Sequence, residues 1–324
     1  MTMRVVTTAA RVPRHLPRPV VAIGTFDGVH RAHAAILRRV VADARRCHGT
    51  SVVLSFDPHP QHVLRPGREP RLLTRVDQRL EHFAALGVQF VWLVRFTRRF
   101  AQLTPDAFVQ RLLVRTLHAR AIVVGSSFGF GQGRTGTVHA LRALGRRAGI
   151  RVRQVPDVLD GGAPITSSRI RAAIVAGRVR EAARWLGRPV MLRGRVVRGA
   201  GRGRALGFPT ANIDAGRSIL PPDGVYVVRV QCGARWWRGV ANIGRRPTFR
   251  DTASTTVEVH LLQFDGRLYG RSVTVEWLHR RRPEQAFATT ADLRRQIAAD
   301  IDEAQRYFRR QPSFMSLAPA RNSQ

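Results

Sequence analysis

Val20-Val-Ala-Ile-Gly-Thr-Phe-Asp-Gly-Val-His-Arg-Ala-His33 is the stretch that decides the fold of the first half of the chain. Its first four residues form an uninterrupted apolar run, which is typical of a strand buried on both faces of a parallel sheet. Gly24 ends the run, and residues 34–47 are predicted to form a helix. A strand, a glycine turn and a helix in this order predict the first unit of a β-α-β fold.

The alternation of strand and helix continues through the first half of the chain. Further apolar runs predict strands at residues 51–56, 90–94, 121–124 and 152–155, and a helix is predicted at residues 77–86. Thr104-Pro105-Asp106 adds a helix start, with a capping residue, a first-turn proline and an acidic residue in the expected order. Strands that alternate with helices indicate a doubly wound parallel sheet, which binds ligands at the carboxyl ends of its strands.

The pattern changes at Gly187-Arg-Pro189, which we interpret as a domain boundary. Two helices are predicted before it, at residues 167–176 and 179–186. Five short strands are predicted after it, at residues 191–197, 225–230, 235–241, 255–262 and 272–277, followed by a helix at residues 290–309. Short strands separated by turns indicate a small antiparallel barrel. We therefore expect an α/β domain at 1–186, a barrel domain with a terminal helix at 187–310, and a loose tail at 311–324.

The composition is that of a globular protein. The 324 residues are enough for two domains with separate cores, and 44% of them are hydrophobic and 23% charged. No apolar run approaches the roughly 20 residues of a membrane span. The two cysteines, Cys47 and Cys232, are too few for a disulfide framework. We expect a cytoplasmic protein without a membrane partner; the sequence leaves the oligomeric state open.

The net charge of +34 raises the question of a nucleic-acid partner. All the basic residues other than histidine are arginines, and they are scattered along the chain rather than massed in one stripe. Uniform use of arginine in place of lysine indicates a compositional habit. We therefore expect no specific nucleic-acid partner, although the positive field favours anionic substrates such as nucleotides.

A glycine-rich stretch, Gly199-Ala-Gly-Arg-Gly-Arg-Ala-Leu-Gly-Phe-Pro-Thr-Ala-Asn212, opens the second half. Glycines let backbone amides approach a phosphate without interference from a Cβ. Thr210 and Asn212 add a hydroxyl and a side-chain carbonyl, which are hard oxygen ligands suited to Mg²⁺. A glycine loop alone is usually an ordinary turn, but joined to Pro-Thr-Ala-Asn it resembles the ATP-and-metal signature of riboflavin kinases. The glycines expected to cradle the phosphates are Gly199, Gly201, Gly203 and Gly207.

Four motifs of the first half resemble those of the bacterial FAD synthetases, which are bifunctional riboflavin kinase/FMN adenylyltransferases. Gly24 to His33 resembles the family's Gly-Asn-Phe-Asp-Gly-x-His-x-Gly-His signature, and Asp57-Pro-His-Pro60 resembles Glu-Pro-His-Pro. Gly125-Ser-Ser-Phe-Gly-Phe-Gly131 resembles Gly-x-Asp-Phe-x-Phe-Gly, and Ile165-Thr-Ser-Ser-Arg-Ile-Arg171 resembles Ile-Ser-Ser-Thr-x-Ile-Arg. The resemblance runs from about residue 20 to residue 308. It implies a nucleotidylyltransferase domain followed by a six-stranded riboflavin-kinase barrel.

The resemblance also implies site residues for adenylyl transfer from ATP to FMN. His30 and His33 share a helix face and would hold the triphosphate at the positive end of the helix dipole, and Arg171 would stabilise the departing pyrophosphate. The remaining nucleotide-binding residues would be Gly24, Phe26, Asp27, Ser167 and Ser168. His59, Phe128 and Phe130 would line the flavin. An aspartate in a turn is often only a turn former, and the two phenylalanines are equally explained as core residues.

Val257-Glu-Val-His260 carries the remaining catalytic candidate. The apolar neighbours of Glu258 point to the opposite face of a predicted strand, and Glu258 matches the glutamate that acts in this family as general base on the ribityl 5′-hydroxyl. The implied reaction uses riboflavin, FMN and ATP with Mg²⁺ and yields FAD. His260 and the pair Trp236-Trp237 are interpreted as structural.

Three positions depart from the family pattern: Thr25 replaces asparagine, Ala32 replaces glycine and Ser127 replaces aspartate. They predict weakened adenylyl transfer beside an intact kinase. Two alternatives therefore stay open. One is a monofunctional riboflavin kinase whose first domain is a degenerate binding module, and the other is a non-catalytic, arginine-rich paralogue that binds flavin or nucleic acid.

Overall fold

The computed structural model describes residues 2–199, 201–246 and 254–311. The chain divides into two compact units, Met1–Arg169 and Ile170–Gln324. The boundary expected at residue 187 stays a prediction, and all of the expected tail except Gln311 lies outside the described residues. Within the described ranges, no helix is long and apolar enough to cross a membrane.

The first unit is built on a six-stranded parallel sheet. Its strands are β1 (Arg4–Val6), β2 (Val20–Ile23), β3 (Ser51–Asp57), β4 (Phe90–Arg95), β5 (Ala121–Gly125) and β6 (Arg151–Val155). The spatial order is β1-β4-β3-β2-β5-β6. The doubly wound sheet predicted from the sequence is confirmed, and the short edge strand β1 was not predicted. A small hairpin, β7 (Leu159–Asp160) and β8 (Ala163–Pro164), follows β6.

Helices cover both faces of this sheet, which is why its central strands are continuously apolar. Val20 and Ala22 pack on the face covered by α1 (Arg31–Arg46) and α3 (Val76–Ala85), whereas Val21 and Ile23 pack on the opposite face. That second face is covered by α5 (Pro105–Phe108), its π-helical continuation (Val109–Thr116) and α6 (Val138–Arg147). Two further short helices are α2 (Pro60–Leu64) and α4 (Arg98–Ala101).

The strand order places a topological switch point between β2 and β5. The chain runs from β2 outward through β3 and β4, then returns to the other side of β2 for β5 and β6. In open α/β sheets the crevice at such a point, outside the carboxyl ends of the strands, is where ligands bind. The segment 24–33 follows β2 and the segment 125–131 follows β5, so both predicted motifs lie at this crevice.

The second unit contains a closed antiparallel barrel of six strands. They are β9 (Val190–Val197), β10 (Ala211–Asp214), β11 (Gly224–Cys232), β12 (Arg235–Arg246), β13 (Ser254–Leu261) and β14 (Ser272–Arg282), in the order β10-β13-β12-β11-β14-β9. The barrel is confirmed. Periodicity alone predicted five of its strands and missed β10, the four-residue strand that includes Asn212.

Alternating burial along the barrel strands defines its interior. In β13, Val257 and Val259 are each 1% exposed, whereas Glu258 between them is half-buried on the outer face. Helices α7 (Ser167–Val175) and α8 (Val179–Leu186) precede the barrel, and α9 (Arg202–Ala205) lies between β9 and β10. The terminal helix α10 (Thr290–Arg310) packs Ala304 and Phe308 against the barrel's outer surface.

Candidate active sites

The first turn of α1 brings the two predicted histidines into direct contact. His30 is the N-cap residue, and its Nδ1 accepts a hydrogen bond from the backbone N–H of His33 at 3.4 Å. The two imidazole rings stack, with 3.6 Å between their centroids and 20° between their planes. His30 is buried and His33 is half-buried. The pair therefore forms one rigid, ring-stacked unit at the helix N-terminus, where the helix dipole favours an anion.

Phe26 has a structural role that the sequence did not predict. Its side chain is 2% exposed and packs edge-on against His33, at 5.3 Å between ring centroids, and against Phe83. The Phe26 ring therefore belongs to the core and packs against His33 of the histidine pair. An added Cβ at Gly24 would lie 3.1 Å from this ring, so a side chain there would press on Phe26. Contributions of Gly24 and Phe26 to nucleotide binding stay predictions.

Asp27 connects the segment 24–33, here called the histidine loop, to the segment before α3. Its carboxylate accepts hydrogen bonds from the backbone N–H groups of Leu73 at 3.1 Å and Thr74 at 2.9 Å, and from the Thr74 hydroxyl. The Asp27 carbonyl accepts a bond from the Ser167 hydroxyl at 2.9 Å. Asp27, which is 2% exposed, therefore stabilises the loop itself. A direct contact with ATP stays a prediction.

Arg79 is the residue at this site that sequence reasoning missed. From α3 its guanidinium donates to the Thr25 carbonyl at 2.5 Å, to the Ser55 hydroxyl at 3.3 Å and to the Phe56 carbonyl at 3.2 Å. It thus joins the loop after β2 to the end of β3. Burial lowers the pKa of Arg79, and the nearby carboxylates of Asp27 and Asp57 partly oppose that shift. In a chain with 55 arginines, nothing in the sequence distinguishes this one.

The loop after β5 places its two phenylalanines against each other. Phe128 and Phe130 stack with 5.5 Å between centroids and 16° between planes, and Phe130 also packs against Phe108 in the core. In this arrangement Phe130 packs in the core, and its flavin-lining role stays a prediction. Phe128 is half-buried and keeps the flavin-lining role as a prediction. Arg134 donates to the carbonyl of Ser127 at 3.1 Å.

His59, Ser168 and Arg171 complete the predicted set. His59 caps α2 by accepting a hydrogen bond from the Gln61 N–H at 3.2 Å. Ser168 is exposed in the first turn of α7, and Arg171 lies one turn beyond Ser167 on that helix. The assignment of these three residues to flavin, ATP and pyrophosphate stays a prediction.

In the second unit, pairing of β10 with β13 assembles the predicted kinase residues. Asn212 lies directly opposite Glu258 in the antiparallel register. The Thr210 hydroxyl lies 3.4 Å from Glu258 Oε2. Residues that are 48 positions apart in sequence thus converge on one patch of the barrel's outer face.

The glycine stretch packs closely against these residues. An added Cβ would lie 2.1 Å from Asn212 Nδ2 at Gly199 and 2.9 Å from Thr210 Oγ1 at Gly203, so neither position has room for a side chain. Gly201 and Gly207 have positive φ angles of +71° and +85°. The Gly207 N–H donates within the loop, to the Arg204 carbonyl at 3.0 Å. That amide is therefore engaged, and the phosphate-cradling role of the four glycines stays a prediction.

Two more residues flank Glu258 on the same face. Asn242 of β12 pairs with Glu258 from the side opposite Asn212, which makes a row of Asn212, Glu258 and Asn242 across three strands. His260 contacts the carbonyl of Pro209 through Nδ1 at 2.9 Å and holds the segment that presents Thr210. Side chains alternate along β13, so His260 lies on the same face as Glu258. This alternation is visible in the sequence and could have placed His260 beside the predicted site.

The donor set at this patch fits a magnesium ion brought by a nucleotide. Among the residues that the structure describes, no cluster of three or more His, Cys, Asp or Glu side chains could hold a metal. Thr210, Asn212 and Glu258 instead offer a hydroxyl, an amide oxygen and one carboxylate. Mg²⁺ is typically bound through few protein oxygens together with substrate phosphates and water. The chemistry of the donors therefore agrees with the predicted ligands.

Comparison with protein families agrees with this two-site arrangement. The family model described as FAD synthetase matches residues 12–169, and the one described as riboflavin kinase matches residues 186–308. The first match contains the histidine loop and the second contains the Thr210–Glu258 patch.

Individual proteins match over nearly the whole chain. A bifunctional riboflavin kinase/FMN adenylyltransferase of Escherichia coli K12 is 39% identical over 290 residues, which are 89% of this chain and 92% of that protein. One from Bacillus subtilis 168 is 35% identical over 306 residues, covering 91% and 96%. A crystal structure from Streptococcus pneumoniae, described as a macrolide-efflux protein, is similar with a TM-score of 0.84 and 32% identity, covering 94% of this chain and 99% of that one.

Proposed function

Because the chain belongs to the family of bifunctional riboflavin kinase/FMN adenylyltransferases, we propose that it converts riboflavin to FMN and FMN to FAD, using ATP in both steps. The observation that carries the kinase half is the convergence of Thr210, Asn212 and Glu258 on one face of the barrel. The adenylyltransferase half is supported by the stacked histidine pair at the switch point of the parallel sheet.

In the kinase reaction, the 5′-hydroxyl of riboflavin attacks the γ-phosphorus of ATP, ADP leaves, and Glu258 accepts the hydroxyl proton. Phosphoryl transfer needs positioning and charge stabilisation rather than a covalent intermediate. Thr210 and Asn212 would hold Mg²⁺, which when bound neutralises charge on the phosphates. Asn242 and Asn212 flank Glu258 on the neighbouring strands, and the Thr210 hydroxyl lies 3.4 Å from its Oε2.

In the adenylyl transfer, a phosphate oxygen of FMN attacks the α-phosphorus of ATP, and pyrophosphate leaves. His30 and His33 contact the triphosphate at the start of α1, and Arg171 stabilises the pyrophosphate. Ser167 contributes by holding the Asp27 carbonyl, which fixes the loop that carries the histidines. The departures at Thr25 and Ser127 are compatible with this role, because the contacts of both residues with Arg79 and Arg134 involve their main-chain carbonyls.

The two alternatives, a riboflavin kinase with a degenerate first domain and a non-catalytic paralogue, have less support than the bifunctional enzyme. Two working domains are favoured over a degenerate first domain, because the family models for both activities match this chain, at residues 12–169 and 186–308. A non-catalytic paralogue would not require Glu258 in register with Asn212. Small-molecule substrates are thus the partners that we assign. A cytoplasmic location and the absence of a specific nucleic-acid partner stay predictions.

One experiment with two variants tests both halves. Wild-type protein is incubated with ATP and Mg²⁺ and either riboflavin or FMN, and the flavins are separated chromatographically. Wild type should yield FMN and FAD. Glu258→Gln should lose FMN formation from riboflavin but still convert supplied FMN to FAD, and His33→Gln should accumulate FMN. Absence of both FMN and FAD when the folded wild type is supplied with riboflavin would refute the kinase, and absence of FAD from both substrates would refute the transferase.

A further inference from the structure

A cleft rich in arginine lies at the amino ends of the strands in the first unit, away from the histidine loop. Its lining comes from the second half of α1, the second half of α6, the first residues of β2 and β5, and strand β6. The histidine loop follows the carboxyl end of β2, and α1 runs from that loop to the cleft. From His33 to Arg46 the helix spans about 20 Å at 1.5 Å per residue. The arginine cleft is therefore a separate place in the fold.

The lining of the arginine cleft is strongly biased in charge. Seven of its fifteen residues are arginines, against 55 of 324 in the whole chain, and its one acidic residue is Asp43. The enrichment, from about one in six to nearly one in two, exceeds what a scattered compositional habit explains. The seven are Arg39, Arg46, Arg120, Arg142, Arg146, Arg151 and Arg153.

Asp43 compensates only part of this charge. Its carboxylate, 14% exposed, pairs with Arg39 Nε at 3.0 Å, with Arg153 Nε at 3.7 Å and with Arg46. One negative charge is thus shared by three guanidinium groups. Arg142 donates to the neutral side chain of Gln154.

The side chains of three further arginines have no acidic partner among the described residues. Arg120, Arg146 and Arg151 are exposed at the cleft and make no ion pair there. Like charges gathered around one concavity repel each other and raise the local concentration of anions. Guanidinium groups bind phosphate oxygens through paired, charge-assisted hydrogen bonds. The electrostatics of the cleft therefore favour a ligand with several phosphate charges.

The volume of the cleft and the apolar residues at its base indicate what size and kind of ligand it can bind. Its volume of about 990 Å³ is at the upper end of the range typical of small-molecule sites. Half-buried Cys47, Ala121 and Val152 give it an apolar floor between the arginines. We propose that the arginine cleft binds an organic polyphosphate of nucleotide size, with its phosphates on the arginines and its apolar part on this floor, as a site additional to the two catalytic ones.

The test uses variants that change the charge of the cleft in opposite directions. A fluorescent nucleoside triphosphate and inorganic tripolyphosphate are titrated into the full chain. Arg120→Gln/Arg146→Gln/Arg151→Gln should weaken binding of the nucleotide at least about tenfold, since charge-assisted contacts are lost. Arg99→Gln/Arg111→Gln/Arg115→Gln removes the same charge from exposed positions of the same unit and should weaken it less than about twofold.

Asp43→Asn should strengthen binding, because it removes the carboxylate that competes for three arginines; exposed Asp106→Asn is its charge-matched control. Rates of FMN and FAD formation at saturating substrate should be unchanged in the cleft triple variant, which separates this site from the catalytic ones. Equal weakening in both arginine triples would overturn the proposal and assign binding to net charge alone. Equal affinity for tripolyphosphate and the nucleotide would overturn the role of the apolar floor.

Discussion

Arg79→Met tests whether a buried arginine, rather than a ligand-contacting residue, controls the adenylyltransferase site. Methionine approximates the length of the arginine stem and removes the guanidinium that joins the Thr25 carbonyl to the Ser55 hydroxyl and the Phe56 carbonyl. Thr25 keeps a contact from the Ser55 hydroxyl at 3.4 Å. The histidine loop should therefore remain folded but lose the shorter of the two contacts that tie the Thr25 carbonyl down.

The magnitude follows from the groups left behind. The Phe56 carbonyl loses the donor described above, at about 1–3 kcal/mol, and the Thr25 carbonyl loses the shorter of two contacts, at about 0.5–1.5 kcal/mol, so the losses amount to about 1.5–4.5 kcal/mol. Removing the guanidinium also relieves its desolvation, the main cause of its lowered pKa, which offsets part of this cost. We expect a net destabilisation of about 1–3 kcal/mol, or a decrease in melting temperature of about 2–12 °C for a unit of this size. Misplacement of a reacting group by about 1 Å can cost about 10² in rate.

The assay measures FMN formation and FAD formation separately, together with thermal unfolding of the first unit. FAD formation should fall at least about tenfold with FMN formation unchanged. Arg79→Lys, which keeps the charge but not the planar fork, should be intermediate and provides a folded variant if methionine is not tolerated. Exposed Arg99→Met is the control and should match wild type. Wild-type melting and wild-type FAD formation in Arg79→Met would refute the reasoning, as would an equal decrease in both activities.

Three further predictions concern the two catalytic sites. Glu258→Gln should lower FMN formation by about 10²–10⁴ while flavin binding persists, measured by rapid-quench kinetics and fluorescence titration; wild-type rates would remove it from the mechanism. Restoring the family pattern with Thr25→Asn, Ala32→Gly and Ser127→Asp should raise FAD formation without changing FMN formation, since one well-placed transition-state donor is typically worth about 10²–10³ in rate; an unchanged rate of FAD formation would show that these side chains do not limit the reaction. Gly199→Ala should impair the kinase alone, since the new Cβ would overlap the amide opposite it, and an unchanged KM for ATP would contradict this.

Periodicity and turn chemistry predicted most of the fold because the buried elements are strongly patterned. Val20 to Ile23, buried on both faces, and Val257 and Val259, buried on one, have the two kinds of apolar pattern that distinguish parallel from antiparallel sheets. The strands that were missed are short. Arg4–Val6 is an edge strand with one buried residue, and Ala211–Asp214 has one buried residue in four. Neither offers enough alternation to be recognised, so their pairing partners determine them.

Residue types in the motifs suggested candidate site residues, whose roles stay predictions, whereas contacts that depend on the folded geometry carried no sequence signal. The histidine spacing predicted a shared helix face, and the structure places the two rings in a stack. Phe26 and Phe130 have aromatic side chains in motif positions, yet both are core residues, because an aromatic residue next to a ligand loop also supplies its packing. Arg79 carried no sequence signal, since its role depends on two carbonyls from other segments that come together only in the folded sheet.

The chain has no lysine, and several of its buried arginines make contacts that a lysine could not make. A guanidinium presents five donors in a rigid fork, whereas an ammonium is a single strongly hydrated charge. Arg79 uses that fork to join two segments, and Arg282 uses it to bind both carboxylate oxygens of Asp300 at 2.7–3.1 Å. Arg229 pairs with buried Glu276 and lies over the ring of Trp236 at 4.5 Å. At Arg79 and Arg282 one guanidinium binds two or more oxygen atoms, so arginine is required there whatever the composition of the rest of the chain. A lysine would leave some of these oxygen acceptors without a donor. Among the described residues, an exposed arginine needs no explanation beyond the compositional habit of the chain unless, as in the arginine cleft, several gather around one concavity.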